Sequence, residues 1–181
     1  MRSSLALLPF LFFLAAPPAS AQSTGEEGRS EMEAARAALP ADAAKVLFGT
    51  KTGPAALAPR PIGSYSRGCL AGGTALPIDG SAWQVMRLSR NRNWGHPRLV
   101  AFLERFAAEG RAVGWPGLLV GDMSQPRGGP MLTGHASHQI GLDADVWFLP
   151  MPDRTLTATE RETVSAVSMV NMKTRELDRT K

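Results

Sequence analysis

The apolar positions of this chain form one continuous block and several short periodic stretches. The block runs from Leu5 to Ala16, after Arg2 and before Pro17, Pro18 and the small-residue triplet Ala19-Ser20-Ala21. A positive start, an apolar stretch of this length and an A-x-A end make a secretory signal peptide. Cleavage after Ala21 gives a mature chain that starts at Gln22. The block is shorter than the ~20 apolar residues of a membrane-spanning helix, and the paired prolines break a helix. No later stretch is apolar enough to span a bilayer, so no stable membrane insertion is expected after cleavage.

Residues 22–61 read as a flexible N-terminal arm with short helices. Gln22–Ser30 is polar and Gly/Glu-rich, which predicts a flexible terminus. Glu31–Leu39 is Ala-rich and predicts a helix stopped by Pro40. Asp42–Phe48 adds a turn or two, and the prolines of Lys51–Pro61 predict a linker.

The folded core is expected over 62–181, starting near Ile62. Gly63–Pro77 looks loop-rich. Trp83–Arg87 alternates apolar and polar residues, as a half-buried strand does. Asn91–Gly95 reads as a polar turn, and Pro97 suits the first position of a helix. Leu99, Phe102, Leu103 and Phe106 follow at helical spacing, through Gly110. Leu118-Leu119-Val120 predicts a short strand ending at Gly121-Asp122, and Ser124–Gly134 a loop. In Leu142–Phe148, Leu142, Ala144, Val146 and Phe148 fall on one strand face, with Asp143, Asp145 and Trp147 on the other. Thr157-Ala158-Thr159-Glu160 fits a capping box opening a helix toward Val170. Strands and helices interleave with long loops, which predicts a single α+β domain with a central antiparallel sheet flanked by helices. Asn171–Lys181 is polar and lacks a stop signal.

Charge and cysteine change this picture little. The formal net charge is +4, which suits an acidic polymer partner or a basic solvated surface. No Lys/Arg run with interleaved aromatics is present, so no nucleic-acid footprint is expected. The single cysteine, Cys69, stands without a partner in a chain expected to reach an oxidising compartment.

The chemistry concentrates in Gly134-His135-Ala136-Ser137-His138-Gln139-Ile140-Gly141-Leu142-Asp143-Ala144-Asp145, which holds two of the three histidines. Imidazole and carboxylate together suit zinc. His138 precedes the strand, Gly141 permits a sharp bend, and Asp145 sits on the strand's polar face, so the two can meet at one metal. Spacing alone leaves a second reading open, with loop histidines and a solvated strand face.

The residue string narrows this. Ile62-Gly63-Ser64-Tyr65-Ser66 with Gly68-Cys69, Trp83-Gln84-Val85-Met86-Arg87, Gly95-His96-Pro97, Gly121-Asp122-Met123, Gly134–Gln139 and Gly141-Leu142-Asp143 together resemble the penicillin-insensitive murein endopeptidases. These are periplasmic zinc peptidases of the clan that shares His-x6-Asp, here His138 to Asp145, with D-Ala-D-Ala carboxypeptidases and dipeptidases. The resemblance implies His138 and Asp145 as zinc ligands and His135 as an additional ligand. It implies peptidoglycan as partner, a periplasmic location, and hydrolysis of D-alanyl–meso-diaminopimelyl cross-bridges by water activated on zinc. Ser137 is then no nucleophile, and β-lactams, which acylate a serine, would not block the reaction.

The sequence also departs from the family. The resemblance implies a downstream His-x-His that supplies the remaining ligand and a base, yet no histidine follows His138. His96 belongs to the Gly-His-Pro match and reads as a packed or helix-entry residue. The family's partner for Cys69 is also missing. One cause covers the missing histidines, the missing cysteine and the tail without a stop signal: a fragment lacking its C-terminal part, inactive as it stands. The alternatives are a non-catalytic wall-binding module stapled by zinc, or a D,D-carboxypeptidase of the same clan.

Overall fold

The computed structural model describes residues 23–171 and 173–178; the expected signal peptide, 1–21, lies outside the described residues. In chain order the elements are α1 (Ser23–Ala37), α2 (Ala44–Gly49), β1 (Arg60–Ser64), β2 (Arg67–Ala71), β3 (Thr74–Ala75), β4 (Trp83–Val85), a 3₁₀ turn (Leu88–Arg90), β5 (Trp94–Gly95), α3 (Pro97–Ala112), β6 (Leu118–Val120), β7 (Val146–Trp147) and α4 (Ala158–Thr163). The class is α+β. The sheet at its centre, β4-β6-β7, is mixed and not antiparallel throughout: β4 and β6 run parallel, and β7 lies antiparallel to β6. The reason is the connection. Parallel neighbours need a crossover of a dozen or more residues, and α3 supplies it.

β6 is the centre of the core because both of its faces are covered. Leu118 and Val120 pack with Val85, Leu76, Met123 and the α3 residues Val100, Leu103 and Ala107. Leu119 points the other way, toward Met86, Leu156 and Trp147. Burial on both faces is why this strand reads as a continuous apolar run. At about 25 cal/mol per Å² of apolar surface removed from water, such side chains each contribute on the order of 1.5–3 kcal/mol.

Several elements differ from expectation for identifiable reasons. The helix predicted from Glu31 begins at Ser23, and α1 lies against the 3₁₀ turn and α4. Gly63–Pro77 holds the hairpin β1-β2, not only loop. α3 starts at Pro97 as predicted, but its buried side is Val100, Leu103 and Ala107. Phe102 and Phe106 face outward, 50% and 44% exposed, and stack with ring centroids 5.7 Å apart. Gln84, on the polar phase of β4, is buried because it accepts from Leu156 N and donates to Arg154 O. In 142–148 only Val146 and Trp147 form a strand. Its faces are reversed: Leu142, Val146 and Phe148 are exposed while Trp147 packs inward.

The capping box at Thr157 is present, with Glu160 N donating to Thr157 Oγ1 at 3.2 Å and Thr157 N donating to Glu160 Oε2 at 2.8 Å. α4 nevertheless ends at Thr163, short of Val170, because Val164 turns extended and packs against the second core cluster. Arg161, 2% exposed, anchors α4 by donating to the carbonyls of Leu156, Ile78 and Val85. Beyond it the polar tail carries a β-bridge between Val170 and Leu177.

Candidate metal centre

The carboxyl ends of the parallel strands β4 and β6 point to one edge of the sheet. Arg87 follows β4 there, and Asp122 follows β6. β7 runs the opposite way, so its entry brings Asp145 to the same edge, where Gly121 N donates to Asp145 O (2.8 Å) and Asp145 N to Asp122 O (2.9 Å). The histidines arrive on a segment, 133–141, without helix or strand. Its shape comes from polar contacts and from backbone angles. Gly141 has φ +67°, and a Cβ there would sit 2.7 Å from Leu70 Cδ2. The bend expected of this glycine is therefore real. Its carbonyl accepts from His96 N at 2.7 Å, which ties the segment to the start of α3.

Gln139 is the clamp of the segment. Its Oε1 accepts from Gly68 N (3.1 Å), its Nε2 donates to Ala136 O (3.1 Å), its backbone N donates to Tyr65 O (3.1 Å), and its carbonyl accepts from Gly129 N (3.0 Å). This holds the histidine segment to the β1-β2 hairpin. His138, next to it, has φ +65°, a left-handed conformation that is uncommon for a non-glycine residue and costs about 1–3 kcal/mol.

These constraints bring His135, His138 and Asp145 together, with one ligand atom from each within 4.8 Å of the others. Asp145 Oδ1 lies 3.6 Å from His138 Nε2, and Oδ2 lies 3.7 Å from His135 Nδ1. Both distances are too long for hydrogen bonds but suit atoms arranged around a shared cation. The His138 side chain is 4% exposed. Neither of its ring nitrogens has a hydrogen-bond partner among the described residues, although Asp143 Oδ2 lies off-axis 2.8 Å from Nδ1. A buried polar atom left unpaired is costly, and a metal ion at Nε2 would satisfy it. Two imidazoles and a carboxylate are also the donor types zinc takes. The residues fit such an ion.

Electrostatics point the same way. Burial lowers the His138 pKa, but contact with Asp145 and the charges of Asp143, Asp145 and Asp122 outweigh it, and the net shift is upward. Asp145 is shifted down, first by His138, against burial and with help from His135. Three carboxylates around two imidazoles stabilise positive charge between them.

His96 stands apart. It caps α3, its Nδ1 accepting from Arg98 N at 3.2 Å, as expected of a helix-entry histidine. Cys69 lies in β2 as a free thiol. Asp122, quoted above as part of the Gly121-Asp122-Met123 string, belongs to the site as well. It is 2% exposed and accepts from Arg92 (2.8 Å) and Arg90 (3.0 Å), with His135 Nε2 3.3 Å away. Arg92, itself 4% exposed, also donates to Thr133 O at 2.7 Å. The available signal in the sequence is an acidic residue two positions after a fully apolar strand. A cleft of about 260 Å³ opens beside the cluster, lined by Arg87, Asp122, His135, Asp145, Trp147 and Ser165 among others.

The chain is 55% identical over 88 residues to a penicillin-insensitive murein endopeptidase of Haemophilus influenzae, covering 49% of this chain and 31% of that protein. It is 41% identical over 118 residues to the protein so named in Pectobacterium atrosepticum, covering 65% of this chain and 42% of that one. The Escherichia coli protein of the same name is 42% identical over 110 residues, covering 61% and 40%. The chain thus spans less than half the length of these curated relatives. Residues 61–181 match the family described as penicillin-insensitive murein endopeptidase, and the match takes in β2 through α4, β1 except Arg60, and the whole His/Asp cluster. On that match, the chain belongs to the penicillin-insensitive murein endopeptidase family.

Proposed function

We propose that this chain carries part of the site of a zinc-dependent peptidoglycan endopeptidase acting on D-alanyl–meso-diaminopimelyl cross-bridges in the periplasm. His138, Asp145 and His135 would hold the zinc. The observation that carries this reading is His138: buried, strained, with Nε2 unpaired and turned toward Asp145 and its neighbour His135. The names of the relatives support the substrate class.

Zinc in such a site supplies water activation near neutral pH and polarisation of an amide carbonyl. The chain's own residues do the rest. His138 and Asp145 set the position of the charge, and the Gln139 clamp keeps the histidine segment against the hairpin. Arg87 and Arg90 line the cleft beside them, Arg90 paired with Asp122 and Arg87 donating to the Arg161 carbonyl. His96 is engaged in capping α3, and no histidine follows His138 in the 181 residues, so a histidine base for proton transfer is not supplied by this chain. Turnover by the 181-residue chain alone is therefore expected to be slow or nil.

The test has two parts. Metal analysis after dialysis against zinc should find about one equivalent bound, lost in His138→Ala and Asp145→Ala. Purified sacculi incubated with the zinc-loaded chain and then digested with a muramidase should keep nearly all of their cross-linked dimeric muropeptides. No zinc retention would sink the metal reading. Zinc retained, sacculi bound and nothing cut would favour the zinc-stapled binding module, whose melting temperature should then fall on chelation. Release of free D-Ala alone would point to a carboxypeptidase.

A further inference from the structure

Asp145 stands between two histidines in matching arrangements. His138 turns Nε2 toward Asp145 Oδ1, and its Nδ1 lies 2.8 Å from Asp143 Oδ2. His135 turns Nδ1 toward Asp145 Oδ2, and its Nε2 lies 3.3 Å from Asp122 Oδ2. Each ring thus has one nitrogen toward the shared carboxylate and the other toward an outer one. A neutral imidazole carries a single N–H. An acceptor beside one nitrogen keeps the proton there and leaves a lone pair on the other.

From this geometry we infer that Asp143 and Asp122 are positioning residues that select opposite tautomers of the two histidines. Asp143, whose half-exposed carboxylate lies 2.8 Å from Nδ1 but off its axis, would turn onto that axis to hold His138 as the Nδ1–H form with Nε2 free to ligate. Asp122 holds His135 as the Nε2–H form with Nδ1 free to ligate. Carboxylates in this outer position orient metal-binding histidines and raise their basicity. The ligation half of the inference rests on the zinc reading; the tautomer half does not.

The two arms differ in stiffness. Asp122 is 2% exposed and fixed by Arg92 and Arg90. Arg92 in turn holds Thr133, two residues before His135, so the outer carboxylate and the ring it orients share one anchor. The Asp143 side chain is 39% exposed and follows the bend at Gly141, so its arm is adjustable. Free histidine favours the Nε2–H tautomer, which makes His138 the diagnostic ring.

The experiment uses the full chain, metal-free, at a pH where both rings are neutral. Long-range ¹H–¹⁵N correlation spectra should show His138 as Nδ1–H and His135 as Nε2–H. Asp143→Asn, at a half-exposed position that leaves the core intact, should return His138 toward the Nε2–H form. It should also weaken zinc binding roughly 10–100-fold in competition with a chelator, and Asp143→Glu should recover part of the loss. An unchanged His138 tautomer with unchanged zinc affinity in Asp143→Asn overturns that arm. Substituting Asp122 risks the fold, so its arm is read in the unsubstituted chain, where an Nδ1–H His135 overturns it. Expected tautomers in a chain that binds no zinc would remove the zinc reading and leave the positioning assignment standing. Zinc bound with the opposite tautomers would do the reverse.

Discussion

On one side of Asp122 lies β6, three residues at most 5% exposed and packed on both faces. On the other lies the segment 133–145, where only His138, Gln139 and Gly141 are buried and no residue belongs to a helix or strand. The first region is held by apolar burial, which is non-directional and tolerates swaps that conserve volume. The second is held by directional polar contacts: Arg92 to Thr133, Gln139 to Gly68 and Ala136, His96 to Gly141. Removing an atom from the core changes how stable the whole protein is. Removing a contact from the segment changes where two histidines point. Asp122 belongs to both regions, since it ends the strand and receives the arginine that pins the loop.

That contrast can be broken most strongly at Arg92. Arg92→Ala should leave the Asp122 carboxylate buried with only Arg90 and His135, and destabilise the fold by about 3–5 kcal/mol in urea unfolding. A loss under 1 kcal/mol would mean the pair is not an anchor. Leu119→Ala should cost on the order of 3 kcal/mol through lost transfer energy and a cavity. Below the unfolding transition this variant should bind zinc as the parent does; weakened binding would erase the division between the regions. Gln139→Ala should cost about 1–3 kcal/mol, because Gly68 N–H and the Ala136 carbonyl lose their partner. It should nevertheless weaken zinc binding more than Leu119→Ala does, and the reverse order would refute the clamp.

The smallest effect lies far from both regions, at α4. Glu160 is pulled from 4.5 to about 2, first by Arg154 and then by the Thr157 backbone and hydroxyl. A carboxylate whose pKa is lower folded than unfolded adds stability above its unfolded value, and that stability is lost as pH falls from about 4.5 toward 2. The group is at the surface, so the effect is small and screened by salt. Melting temperatures measured across this window should fall slightly less in Glu160→Gln than in the parent.

Much of the fold could be read from local pattern. Leu118–Val120, the start of α3 at Pro97, the capping box at Thr157 and the bend at Gly141 are each specified by neighbouring residues. The string from His135 to Asp145 could be read the same way, because the residues that meet are close in the chain. What failed was non-local. α3 offers two apolar stripes, and the sheet took the one with the smaller residues, Val100 and Ala107, since these allow close approach; the stacked phenylalanines were left outside. Asp122 and Arg92 are 30 residues apart, and nothing near either one announces the other. Asp143 is half-exposed as alternation predicts, but it lies on the loop before β7 and not in the strand. The length of α4 was set by Val164 reaching the core, which helix propensity does not see.

The left-handed backbone at His138 bears on how this protein responds to selection. A library screened only for yield or heat resistance should move away from histidine at this position. Asparagine and glycine accept the angle at less strain, and neither leaves a buried ring nitrogen unpaired. With zinc held as proposed, the clones that look best by such a screen would be those that have given it up. Any effort to make this domain sturdier has to score metal retention alongside survival, or it will select against the residue on which the site depends.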